Sequence, residues 1–163
     1  MGMVVIRVVR DGDGDALWAI LEPVIREGET YTLPQELSRD AALAYWLAPE
    51  HEVFMAEEDG RVVGTYFLQA NQGGGGAHVA NCGYITASAA TGRGVARAMC
   101  LHSLQRAKER SFRAMQFNFV VASNERAVEL WKSMGFATVG RLPEAFLHPV
   151  KGYVDVYVMH RIL

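Results

Sequence analysis

Between residues 84 and 98 the chain reads Tyr84-Ile85-Thr86-Ala87-Ser88-Ala89-Ala90-Thr91-Gly92-Arg93-Gly94-Val95-Ala96-Arg97-Ala98. The segment starts strand-like, passes through a loop of small residues and opens a helix that Val95, Ala98, Leu101 and Leu104 continue. Gly92 and Gly94 lack side chains, so a ligand can come close to the backbone. The first turn of a helix carries unpaired N–H groups and the positive end of the helix dipole, which suits phosphate oxygens. Arg93 and Arg97 place further positive charge beside it. Physics alone makes this an anion site, and a pyrophosphate is the expected anion.

The run Gly92-x-Gly94-x-x-Arg97 lacks the third glycine of a dinucleotide fingerprint and lies mid-chain rather than after a first strand. No Gly-Lys-Ser/Thr follows, which removes a nucleoside-triphosphate P-loop. Outward from this stretch, Ala114 to Val121 reads as a strand. Ala127, Leu130, Trp131 and Met134 mark a helix that starts near Asn124 and stops at Gly135. Phe136 to Arg141 and Tyr153 to Met159 read as two closing strands, and Glu144 to Pro149 as a loop with a large apolar tip.

Upstream, Val4 to Val9 is a short β-branched strand, and Asp11 to Asp15 is a turn and a helix start. Leu17, Ile20, Leu21, Val24 and Ile25 recur at helical spacing, with Pro23 expected to kink or end that helix. Glu27 to Tyr31 forms a loop. Ser38 caps a second helix carrying Leu43, Trp46 and Leu47 on one side. Val53 to Glu57 and Val62 to Gln69 flank the hairpin signal Asp59-Gly60, and His78 to Thr86 is a further strand. The order β-α-α-β-β-β-α-β-α-β-β implies an α/β fold, a mixed sheet with helices on both faces.

The 163 residues fit one domain spanning 1–163, and with half of them hydrophobic they support a full core. A net charge of −2 argues against a nucleic-acid surface. No apolar run approaches the ~18 residues of a membrane span, and the N-terminus lacks signal-peptide features. Cys82 and Cys100 read as buried, reduced thiols, so cytoplasmic residence is expected. Asp11, Asp13, Asp15 and Glu22 suggest a calcium loop only until Ala16 is found where its glycine should stand. Helix capping is the better reading, and the scattered histidines suggest no metal site.

The chain resembles the GCN5-related N-acetyltransferase family. Thr91-Gly92-Arg93-Gly94-Val95-Ala96 is similar to that family's coenzyme A loop, Gln/Arg-x-x-Gly-x-Gly/Ala, with Thr91 departing at the first position. Asn124-Glu125-Arg126-Ala127, then Trp131, then Gly135-Phe136 matches its second motif. Element order agrees along nearly the whole chain. The resemblance implies the acyl-CoA N-acyltransferase fold, a mostly antiparallel sheet of about seven strands, with acetyl-CoA as cofactor. Gly92, Arg93, Gly94, Val95, Ala96 and Arg97 inherit the pyrophosphate. Tyr84, Ile85 and Thr86 inherit the pantetheine arm, where the fourth and fifth strands part, and a backbone amide there acts as oxyanion donor. Asn124 and Trp131 border the same arm.

The implied reaction is direct acetyl transfer to a primary amine of a small molecule or a peptide N-terminus. Trp131 stands where many relatives carry a proton-donating tyrosine, and an indole N–H is no acid. Departure of the thiolate without an acid, or help from Tyr84 or Tyr31, remain the alternatives. The fourth strand holds no carboxylate. Glu29 is the first candidate for general base beside a chain of waters, and Asn118 for positioning the acceptor or a water. The rival reading is an acetyl-CoA-binding module with little or no turnover. The resemblance also implies a possible homodimer through the closing strands.

Overall fold

The computed structural model describes residues 2–163. Seven strands form one sheet in the order β1-β2-β3-β4-β5-β7-β6. They are β1 (Val4–Val8), β2 (Glu52–Glu58), β3 (Arg61–Ala70), β4 (Val79–Thr86), β5 (Ala114–Val121), β6 (Ala137–His148) and β7 (Gly152–Ile162). Every neighbouring pair is antiparallel except β4 and β5, which are parallel. The four helices are α1 (Gly14–Glu27), α2 (Arg39–Trp46), α3 (Val95–Glu109) and α4 (Glu125–Ser133).

Strand periodicity assigns the helices to opposite faces. In β2, Val53 and Met55 join the core under α1 and α2, while Phe54 and Ala56 join the core under α3 and α4. In β3, Phe67 points to the first core, and Tyr66 and Leu68 to the second. Polar atoms inside are bonded: Trp46 Nε1 donates to Thr65 Oγ1 at 3.1 Å, and Thr65 Oγ1 donates to the Phe54 carbonyl at 2.8 Å. Asp59 and Gly60, both at positive φ, make the tight β2–β3 turn that their pairing predicts.

Several expectations are corrected. Pro23 does not end α1, which runs on to Glu27 and stops at the left-handed Gly28. Pro23 and Ala19, whose carbonyl loses its partner, both lie on the exposed side, where solvent reaches them, while Leu17, Leu21 and Ile25 hold the inner side. Asp13 stands at the N-cap of α1 but makes no side-chain cap bond. Its carboxylate instead takes Arg7 at 2.8 Å and 2.9 Å, which holds it below the usual carboxylate range. Leu47 and Leu101 are exposed, at 41% and 56%. The inner face of α3 is Val95, Met99, Cys100, Ser103, Leu104 and Ala107. Residues 144–148 are not loop but the second half of β6. Pro143 sits beside a register break between Leu142 and Phe146, and Glu144 has positive φ with its N–H bonded to Asp155 Oδ1 at 2.9 Å. A proline is tolerated there because β6 is an edge strand.

Candidate active site

The parallel pair β4–β5 is joined only at Val79↔Ala114 and Ala80↔Met115. Beyond that the strands part, and a cleft of about 1090 Å³ opens between them. Its floor is backbone. The Val79 carbonyl accepts from Asn71 N and Ala87 N donates to Val63, so the odd-numbered residues of this strand turn towards β3. Alternation turns the N–H and C=O groups of Cys82, Tyr84 and Thr86 into the gap. The Tyr84 carbonyl is met there by the Tyr31 hydroxyl, which donates to it at 2.9 Å. Amide side chains cross the closed end of the gap. Asn81 Nδ2 donates to the Gln116 carbonyl at 3.0 Å, and Asn118 Nδ2 to Asn71 Oδ1 at 2.6 Å.

The far end of β4 passes through a single turn of 3-10 helix, Ser88–Ala90, into the glycine loop. Gly92 and Gly94 have φ of +80° and +83°, and nothing lies within 4 Å of where a Cβ on Gly94 would stand. The N-cap Gly94 makes no side-chain cap bond. Among the described residues, the N–H groups of Gly92, Arg93, Gly94, Val95, Ala96 and Arg97 have no hydrogen-bond acceptor. A row of open amides on an exposed turn is what an anion such as a diphosphate requires.

The two arginines expected to flank this turn behave differently. The Arg93 guanidinium leaves the cleft and pairs with Glu58 at the end of β2, a carboxylate only 5% exposed. Only the backbone of Arg93 serves the loop. Arg97 stays at the rim, where Nη2 donates to Ser133 Oγ at 2.8 Å. The positive charge that the sequence reading missed is Arg126. It lines the cleft, and its Nη2 stands 3.0 Å from where a Cβ on Gly92 would be. The signal was present in Asn124-Glu125-Arg126-Ala127, but only the fold brings the start of α4 over the glycine loop.

Trp131 lines the cleft wall, packed between Tyr84, at 5.0 Å between ring centroids, and Phe117, at 4.9 Å. Asn124 caps α4 by accepting from Ala127 N at 3.4 Å, which leaves its Nδ2 for the cleft. Ile85 is buried against α1 and α2, while Thr86 stays part-exposed at the cleft. The Tyr84 phenol is already engaged. Its ring turns to the α3 side, and because Ser103 Oγ already donates to the Cys100 carbonyl, the Tyr84 hydroxyl donates to Ser103 Oγ at 2.6 Å. Burial holds that phenol well above its ordinary pKa, and Tyr31 likewise. Both stay protonated, and both are weaker acids than the thiol they would have to protonate. Cys82 and Cys100 are pushed up to about 12 by burial, so neither supplies a thiolate nucleophile.

At the other end of the cleft Glu29 lines the space, 42% exposed, with His148 Nε2 4.0 Å from its carboxylate. Asn118 also lines the cleft, held between Asn71 and the Gln116 amide. Every predicted site residue except Arg93 thus lines one cleft, and Tyr84 does so with its phenol already engaged by Ser103. No helix is long and apolar enough to cross a membrane, and no cluster of potential metal ligands occurs among the described residues.

Residues 16–136 match the sequence model of the Acetyltransferase (GNAT) family. A solved GCN5-related N-acetyltransferase from Kribbella flavida is 41% identical, superimposes with a TM-score of 0.94 and covers 98% of both chains. N-acetyltransferase aca1 of Schizosaccharomyces pombe is 24% identical over 151 residues, 82% of this chain and 72% of that protein. The fold is shared with yncA of Salmonella typhimurium, solved with its cofactor acetyl-CoA, at 19% identity, a TM-score of 0.85 and coverage of 98% and 94%.

Proposed function

This chain belongs to the GNAT acetyltransferase family and depends on acetyl-CoA, and from that premise we propose that it acetylates a primary amine on a small cationic molecule. The observation that carries the cofactor half is a strip of backbone with two open parts, the gap-facing groups at the end of β4 and the amides of residues 92–97. The parted strands expose its first part, and the glycine loop its second. The residues fit the group: amides 92–97 take the diphosphate, Arg126 and Arg97 add charge, and Asn124 and Trp131 wall the arm. Bound acetyl-CoA supplies an activated acetyl thioester. The amides of β4 that face the gap donate to its carbonyl oxygen, where negative charge gathers during transfer.

The acceptor half rests on Glu29, on the loop Glu27–Tyr31, with Asn118 facing the same space. Glu29 attracts the acceptor ammonium and takes its proton, directly or through water, and Asn118 orients the amine. With the Tyr31 and Tyr84 phenols locked in donation and the Cys82 and Cys100 thiols held neutral, none of these four groups would carry an acyl group or act as acid, and coenzyme A would depart as its thiolate. The reading takes residues 1–163 as one catalytic domain in the cytoplasm, without nucleic-acid partners. A homodimer is part of it. The long edge strand β6 exposes Val139 and Leu142, and Leu147 and Tyr153 crowd its hairpin end.

Calorimetry with acetyl-CoA tests the cofactor half: one site per chain is expected, and no heat would end the proposal. Thiol release across a panel of primary amines tests transfer. A protein that binds acetyl-CoA and releases thiol with none of them is instead the binding module favoured by Trp131 and the carboxylate-free β4.

A further inference from the structure

His148 lies at the end of β6, 7% exposed, where the β6–β7 hairpin turns over residues 149–151. Its Nδ1 sits 3.1 Å from both the Val150 and the Lys151 amide nitrogens. Backbone N–H groups can only donate, so Nδ1 accepts twice and carries no proton. The neutral ring must then hold its proton on Nε2. That atom faces Glu29 Oε1 across 4.0 Å, from a strand more than a hundred residues away in the chain. The distance is longer than a hydrogen bond, so direct contact requires the part-exposed Glu29 to move closer.

The geometry points to His148 as a positioning residue for the acceptor carboxylate: the hairpin fixes the imidazole tautomer so that Nε2–H holds Glu29 at the cleft wall. This inference rests on Glu29 being the group that receives the amine, as proposed above. It gives the hairpin tip a task in acceptor binding rather than in cofactor binding. Glu29 is carried on the short loop after Gly28, and among the described residues no hydrogen bond holds its carboxylate. A carboxylate free to swing would meet the ammonium in many orientations. One held by a rigid N–H donor meets it in few.

The test uses two replacements in the full chain. His148→Asn keeps an oxygen near the Nδ1 position, so the hairpin amides retain an acceptor while the Nε2–H is lost. Glu29→Gln keeps the shape and removes the charge. Long-range ¹H–¹⁵N correlation of the imidazole should show an unprotonated Nδ1 and a protonated Nε2 in the unaltered protein. Glu29→Gln should move the Nε2–H resonance without moving Nδ1. A ring signal indifferent to Glu29→Gln overturns the proposal, whatever the enzyme's substrate proves to be.

Steady-state acetylation then uses the fastest of spermidine, tyramine and L-lysine methyl ester. His148→Asn should raise KM for the amine about tenfold, the worth of one charge-assisted hydrogen bond. KM for acetyl-CoA and the melting temperature should stay put. In the Glu29→Gln background the same replacement should do nothing further. A lowered melting temperature with unchanged KM would mark a merely structural histidine and overturn the proposal. If none of the three amines is acetylated by the unaltered protein, the acceptor assignment fails on its own, while the ring spectrum still decides the contact.

Discussion

Gly94 shows how much of this site is written in single backbone conformations. At φ +83° it occupies the left-handed region, and it also leaves empty the space in front of the first amides of α3. Gly94→Ala adds a methyl that meets no protein atom, so its cost is conformational, about 1 kcal/mol. A melting temperature lower by about 2–4 °C is expected. Acetyl-CoA affinity measured by calorimetry should fall by more than that strain explains, because the methyl stands where the ligand must approach. An affinity unchanged by Gly94→Ala would mean that the diphosphate lies elsewhere. Tyr84 carries the opposite lesson: its main chain faces the cleft, and its side chain is spent on Ser103.

At the scale of elements, the glycine loop is tied to the β2–β3 hairpin by one ion pair. Glu58 at the end of β2 is nearly buried, and Arg93 is its ion-pair partner among the described residues. Arg93→Ala leaves that carboxylate uncompensated, at an expected cost of about 1–3 kcal/mol, moderated because the guanidinium is part-exposed. The loop should also loosen, raising KM for acetyl-CoA while leaving KM for the amine alone. Adding Glu58→Gln removes the stranded charge and should recover part of the lost stability, as chemical denaturation of the single and double variants would show. Stability equal to the unaltered protein in Arg93→Ala alone would remove the tether.

For the molecule as a whole, ligand binding and pH both report on the stability of the folded state. Acetyl-CoA at a hundred times its Kd stabilises the folded state by about 2.7 kcal/mol, which raises the melting temperature by about 5–10 °C. Differential scanning fluorimetry checks this, and a flat response would remove the cofactor site. Burial pushes Cys82 and Cys100 up to about 12. A group raised in the folded state keeps its full contribution below its unfolded pKa, about 8.5 for a thiol. That contribution is lost as pH climbs towards the folded value. The melting temperature should therefore decline from about pH 9 upward. Both thiols should resist alkylation at pH 8 until the chain unfolds, and prompt labelling of either would contradict the packing described.

The sequence by itself determined the order of elements, the glycine turn that opens α3 and the family. Those depend on local matters: β-branched runs, helical spacing, Asp59-Gly60, and glycines where a side chain would obstruct the backbone. It also pointed to Glu29 and Asn118 as facing the acceptor, although they lie 89 residues apart. What it left undecided were the partners of long side chains, because a guanidinium or an imidazole is claimed by whatever the fold brings within reach. Arg93 was expected at the phosphate and went to Glu58. Arg126 was passed over and arrived beside Gly92 instead. His148 was one of several scattered histidines until the β6–β7 hairpin carried it to the acceptor loop. Residues 144–148 looked like loop because proline and a left-handed Glu144 interrupt the pattern, and only pairing with β7 made them strand. Local conformation is a property of neighbours in the chain. Charge pairing and tautomer are properties of neighbours in space, and those exist only once the sheet has formed.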